Sequence, residues 1–180
     1  MRYIGLFALI ILLSGCKKEV LNEVEVNNQY KIMVPAFTKE VAHLSPAASL
    51  QYADANNEFC LMVIDDSKED FQDILYAGNL QDEFPNTIDG LTTYLQRVQE
   101  EVVGDAGEVH YSDITSLQIN GFDARQYTIH AVIDGQELYY LYTIVDGDAY
   151  YYQILSWTMA HKKAEYQELF TKISQSFKEL

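Results

Sequence analysis

The sequence predicts an α+β domain: an antiparallel β-sheet of about six to seven strands with helices on both faces, an α/β/α sandwich. Three observations predict it. First, Asn120-Gly121, Asp134-Gly135 and Asp146-Gly147 each separate β-rich runs, and such pairs suit tight hairpins because both residues tolerate positive φ. Second, the runs between them, about 107–118, 122–133, 136–145 and 149–158, then follow one another as an antiparallel meander. Third, the run 136–145 is apolar on both sides. One side carries Leu138, Tyr140, Tyr142 and Ile144, the other Tyr139, Leu141, Thr143 and Val145. The next run repeats this with Tyr150, Tyr152 and Ile154 against Tyr151, Leu155 and Trp157. Such a sheet needs cover on both faces, and three stretches with helical periodicity can supply it.

Arg2 gives the chain a positive start, Ile4 through Leu13 a short apolar run, and Ser14-Gly15 small residues at its end, the pattern of a signal peptide over residues 1–15. As a helix, residues 3–15 would reach only about 20 Å at ~1.5 Å per residue, against a hydrocarbon core of ~30 Å, so removal is expected rather than a membrane span. The run ends in Leu13-Ser14-Gly15-Cys16, which resembles the bacterial lipobox. The resemblance implies that Leu13, Ser14 and Gly15 are read by the processing enzyme, that the chain is cut before Cys16, and that Cys16 carries a diacylglyceryl group on sulfur and an acyl chain such as palmitate on its amine. One buried acyl chain binds a bilayer marginally, at ~0.8 kcal/mol per CH₂, whereas two or three on one residue anchor a domain durably. No Asp follows Cys16, so the retention signal of some inner-membrane lipoproteins is missing and the outer membrane is expected. Lys17-Lys18-Glu19 partly resembles a surface-export signal, with one acid where that pattern has two, which leaves the leaflet open. Residues 16–28 lack aromatics and end in Asn-Asn. They read as a lipidated tether, about 40 Å long if extended at ~3.3 Å per residue, ahead of a single domain over 29–180.

Within that domain Tyr30–Pro35 reads as a short strand ended by proline. Ser49–Asp54 and Glu58–Asp65 flank the turn-rich Ala55-Asn56-Asn57 and read as a hairpin. Ser67 with Asp70 forms a capping pair before Phe71, Ile74 and Leu75. Asn86 is placed to cap a second helix with Ile88, Leu91, Leu95, Val98 and Val102 on one face and Gly104 after its end. A last helix, about 162–178, buries Tyr166, Leu169, Phe170, Ile173 and Phe177. This order of elements, with the phrases Tyr30-Lys-Ile-Met-Val-Pro35, Ala48-Ser-Leu-Gln-Tyr52 and Ile173-Ser-Gln-Ser-Phe177, resembles the PsbP-like family over most of residues 29–180. The resemblance implies an antiparallel sheet between helices and a module that binds or stabilises partner proteins. It supplies no catalytic residue.

The chain has 180 residues and a net charge of −15. Loss of residues 1–15 removes Arg2 and no acid, leaving 27 acidic and 11 basic side chains, a net −16. Such a surface repels nucleic-acid phosphates, so no nucleic-acid partner is expected. Cys60, in an apolar run, reads as a buried inert thiol. His43, His110, His130 and His161 have no zinc-pair spacing, and neither HExxH, CxxC, GxSxG nor a Gly-rich phosphate loop occurs. His130 shares the polar side of its strand with Gln126 and Thr128. Asp54-Ala-Asn56-Asn57-Glu58 and Asp146-Gly147-Asp148 offer oxygen ligands but are explained by turn chemistry. No catalytic, metal or cofactor residue is therefore assigned beyond the covalent lipid on Cys16. The fourteen tyrosines and Trp157 fill sheet-to-helix layers on the plainer reading. On the sharper one Tyr139, Tyr151 and Trp157 share a face and form a partner surface. The function expected is that of a membrane-anchored envelope lipoprotein, held to the bilayer through Cys16. It would act as a non-catalytic protein-binding or complex-stabilising module for another envelope protein. The alternatives are a small-ligand or saccharide carrier with an aromatic pocket and, behind it, a carboxylate-based hydrolase.

Overall fold

The computed structural model describes residues 19–104 and 107–180; Leu13, Ser14, Gly15 and Cys16 lie outside them. In chain order the elements are β1 (Leu21–Val26), β2 (Tyr30–Pro35), β3 (Lys39–Glu40), β4 (Ala48–Asp54), β5 (Phe59–Ser67), α1 (Lys68–Gly78), α2 (Ile88–Val103), β6 (Gly107–Tyr111), β7 (Thr115–Ile119), β8 (Phe122–Ile133), β9 (Gln136–Asp146), β10 (Tyr150–Met159), α3 (Lys163–Gln175) and β11 (Lys178–Glu179). Eight strands form one antiparallel sheet in the order β3-β4-β5-β10-β9-β8-β6, with β7 also paired to β8; β1, β2 and β11 form a second, three-stranded sheet.

Apolar alternation decides how the layers stack. On one face of the large sheet, Phe71 and Leu75 of α1, Phe84, and Ile88 and Leu91 of α2 pack on Tyr127, Tyr142, Ile144, Tyr151 and Leu155. On the other, Tyr166, Leu169, Phe170 and Ile173 of α3, then Phe177, meet Phe59, Leu61, Val63, Val145 and Ile154. The mixed α+β fold with both faces covered is as the sequence predicts, with one addition: Tyr30, Ile32 and Val34 of β2 join α3 on the second face, so that cover is a helix plus a small sheet. This corrects the tether as well. Residues 21–28 belong to the fold, because Val26 is buried and Leu21 and Val24 pack against the core. The pair Asn27-Asn28, at φ 51° and 54°, turns the chain into β2, and Lys31 on β2 pairs with Glu25 at 3.1 Å.

Local signals hold where they are strictly local. Asn120-Gly121 (φ 50° and 95°) and Asp134-Gly135 (50° and 76°) close their hairpins as positive-φ pairs. Asp146-Gly147 does not. Asp146 pairs with Tyr151, a wider connection, and Gly147 serves close approach instead: a Cβ there would lie 2.6 Å from the Tyr152 ring and 2.7 Å from Glu179 Oε1. Ser67 caps α1, its Oγ accepting from Asp70 N–H at 2.9 Å, but Ile74 faces out, 49 % exposed. Thr87, not Asn86, caps α2, accepting from Gly90 N–H at 3.1 Å. Gly104 ends α2 as expected, yet Val102 is 79 % exposed. The run expected as one strand over 107–118 breaks into β6 and β7. Tyr111 pairs with Ile129 and Thr115 with Gln126, so three residues face two, an extra residue of the kind a bulge inserts. The last helix spans Lys163–Gln175 after a 3₁₀ turn at Ala160–Lys162, and all five residues predicted to be buried are buried.

Candidate functional site

The face under α1 and α2 carries the polar interior. Gln153 sits on β10 in an otherwise apolar run and is 4 % exposed. Its Oε1 accepts from the Tyr142 hydroxyl and its Nε2 donates to Asp66 on β5. Burial, with Asp65 and Asp70 nearby, raises the Asp66 carboxyl above its usual range against the lowering effect of the Gln153 bond. Above this chain, the Tyr151 hydroxyl donates to Asn86 Oδ1 at 3.2 Å, and Asn86 Nδ2 donates to the Lys68 carbonyl at 3.0 Å. Lys68 Nζ meets Asp146 at 2.6 Å. Asn86, expected as a cap, thus ties the α1–α2 connection to the sheet. Arg125 of β8 holds Asp89, in the first turn of α2, by Nε at 2.5 Å and Nη2 at 3.2 Å. That bond lowers the Asp89 carboxyl below its usual range. These bonds position helices on a sheet.

Towards the other end of the same face the packing is incomplete. A pocket of about 160 Å³, open to solvent, lies beneath the last turns of α2. Its floor is Ile129, Ala131 and Ile133 of β8, with Tyr140 and Tyr142 of β9 and Leu155 of β10. Gln99 and Val103 of α2 roof it, and Val109 of β6 closes one side. The walls are almost wholly apolar. Gln99 Oε1 is buried without a hydrogen-bond partner, as is the hydroxyl of Tyr127, whose ring stacks on Tyr142 at 5.2 Å. Burial drives the Tyr127 hydroxyl well above its ordinary pKa, with the neighbouring Gln99 amide offsetting only part of the rise. Trp157, half-buried, stacks on Tyr140 at 5.7 Å beside the cavity.

The proposed aromatic partner surface does not form. Cross-strand partners share a face, and the register pairs Tyr139 with Thr158 and Tyr140 with Trp157. Tyr139 therefore lies under α3, 3 % exposed, while Tyr151 and Trp157 lie on the α1–α2 face, with Tyr151 2 % exposed. The plainer packing role describes Tyr139 and Tyr151. Cys60 is half-buried, and burial pushes its thiol up to about 11. His130 is exposed beside Lys163 Nζ at 3.4 Å and the Tyr139 ring at 5.2 Å, and His110 pairs with it across β6 and β8. Asp54 Oδ1 accepts from Asn57 N–H at 2.8 Å, the turn chemistry expected there. Among the described residues no three of His, Cys, Asp and Glu gather to hold a metal, and no helix is long and apolar enough to cross a membrane. Sequence reading missed Gln99 and Ala131 altogether. Gln153 left a trace, a lone amide inside an apolar strand.

The sequence matches no protein-family model and no curated protein. Solved structures do resemble the fold. Cyanobacterial PsbP (CyanoP) from Synechocystis aligns at TM-score 0.66 with 11 % identity, over 95 % of this chain and 99 % of its own. The Ran-binding protein Mog1p of Saccharomyces cerevisiae aligns at 0.56 with 8 % identity, over 89 % and 95 %. LpqN of Mycobacterium tuberculosis, involved in cell envelope biogenesis, aligns at 0.52 with 11 % identity, over 90 % and 91 %. At these identities the likeness is one of fold: the domain has a PsbP-like fold.

Proposed function

We propose that the chain is a lipoprotein of the bacterial cell envelope whose domain is a non-catalytic module that binds or stabilises a protein partner. The observation that carries this reading is the use made of carboxylates to join elements. Asp66 is engaged by Gln153, Asp89 by Arg125, Asp146 by Lys68, and Glu179 by the Tyr152 hydroxyl and the Asp148 N–H. Each joins separate elements, and a thiol raised to about 11 is a poor nucleophile at neutral pH. Two proteins of like fold add support: one binds Ran, and one takes part in cell envelope biogenesis. The α1–α2 side also presents Tyr76, 60 % exposed, and Ile74, apolar groups of the kind that anchor partners. In-cell photocrosslinking from position 76, read by mass spectrometry, is expected to recover one reproducible envelope protein. Recovery of none counts against the module reading.

The anchor rests on Leu13-Ser14-Gly15-Cys16. Cells fed labelled palmitate are expected to label the wild-type protein and not Cys16→Ala; equal labelling ends this part of the proposal. Residue 17 being Lys favours the outer membrane, and protease treatment of whole cells decides the leaflet.

A further inference from the structure

We propose that the cavity beneath α2 binds a small uncharged aromatic molecule bearing one hydrogen-bond donor, a ligand of the phenol class. Size sets the first limit. A volume of about 160 Å³ matches that of apolar cavities of about 150 Å³ that admit benzene, so the pocket, which opens to solvent, seats one ring and not the whole of a fatty acyl chain or a disaccharide. Chemistry sets the second. The floor offers Ile129, Ala131 and Leu155 with the rings of Tyr140 and Tyr142, and among the described residues no charged side chain lines the space. A hexose of equal volume would strand several hydroxyls against hydrocarbon, and an ion would lose its hydration without a counter-charge. An aromatic ring loses neither. The third limit comes from Gln99. Its Oε1 is a buried acceptor without a hydrogen-bond partner, beside the equally unpartnered Tyr127 hydroxyl, and a buried polar group left unpaired is destabilising. A ligand hydroxyl or N–H pointed at the α2 roof would satisfy it, while the ring lay on the β8–β9 floor.

This inference is independent of the partner-binding reading, and its test involves no partner. The full chain is titrated with phenol, benzene and glucose at millimolar concentrations, followed by thermal unfolding and by NMR of the Ala131 methyl. Phenol is expected to raise Tm and shift the Ala131 signal, benzene to do so with roughly fivefold weaker affinity, the worth of one net hydrogen bond, and glucose to do neither. Gln99→Leu should abolish the preference of phenol over benzene while keeping benzene binding. Ala131→Leu should fill the floor and abolish both. Val103→Phe, which fills the same space from the helix, tests the point again should Ala131→Leu fail to fold. Absence of any phenol response in the wild type, binding that survives both filling variants, or a response to glucose equal to that of phenol overturns the proposal.

Discussion

Gln153 is held at both ends of its amide. It is buried in mid-sheet with one end committed to the Tyr142 hydroxyl and the other to Asp66. Replacing it with Leu keeps much of the volume and orphans both neighbours at once. At about 1–3 kcal/mol for each buried group left unpaired, Gln153→Leu is expected to cost about 2–6 kcal/mol in urea unfolding, and a change below about 0.5 kcal/mol would show the chain to be idle. His130 is a milder case, read by titration. Burial, then the Lys163 ammonium, then His110 across the strand pair lower its pKa below the ordinary range. A histidine so depressed favours folding in its neutral form. Its contribution is complete above the unfolded value of ~6.5 and fades as pH falls through the lower folded value. Removing the ammonium in Lys163→Met should raise the His130 pKa measured by NMR and lessen the loss of stability on acidification. An unchanged titration would mean that the ammonium 3.4 Å away exerts no influence.

At the scale of elements, β1 decides where the domain begins. Val26 is buried, Leu21 and Val24 pack on the core, and β1 pairs along its whole length with β2. A chain starting at residue 28 would leave β2 an open edge and expose apolar surface beside Tyr30 and Ile32. It is expected to unfold at least 10 °C lower than a chain starting at residue 19, on the scale of about 2–4 °C per kcal/mol for a domain this size; equal Tm values would return residues 21–28 to a tether. The contrast between β1 and β8–β10 explains what the sequence could tell. β8 to β10 are read from dipeptides that set their own φ and from side chains apolar on both sides, all local facts. β1 is rich in Glu and Asn, and only its pairing with β2 makes a strand of it. The split of 107–118 into β6 and β7 likewise depends on how β8 is contacted. Alternation within β9 and β10 is legible, but which residues of the two share a face depends on register, which is why Tyr139 parted from Tyr151. The cavity was illegible for a simpler reason. A void is what α2, β6 and the sheet together fail to fill, and nothing about Ala131 or Gln99 alone records it.

The whole molecule has two ends, and the path of the chain assigns them. β1 begins opposite Pro35, where the chain passes on to Phe37, whose ring meets Phe59 at 5.3 Å and Tyr166 at 6.3 Å. At that end lie the start of β5, the turn at Ala55–Glu58, the Asp134-Gly135 hairpin and the 3₁₀ turn Ala160–Lys162. The starts of α1 and α2, the Asn120-Gly121 hairpin and the connection after Asp146 lie at the opposite end, about 33 Å away along β9 at ~3.3 Å per residue. If Cys16 is acylated, only residues 17–20 separate the lipid from β1, a reach of about 13 Å fully extended, and Val20 is already held by the Ala36 N–H at 2.9 Å. So short a link cannot let the domain turn over. On that condition the Ala55–Glu58 end faces the bilayer, with Lys162 and Lys163 beside it, and the polar network of Asn86, Lys68, Asp146 and Asp89 faces away, where a partner arriving from the aqueous side would meet α1 and α2. A probe on a cysteine introduced at Asn56, in a Cys60→Ser background with lipidated protein in vesicles, is expected to be quenched by nitroxide-labelled lipid headgroups, and the same probe at Asn120 is not. Equal quenching at the two positions would mean that the domain tumbles freely, and the linkage from Cys16 through β1 to the sheet would have to be abandoned.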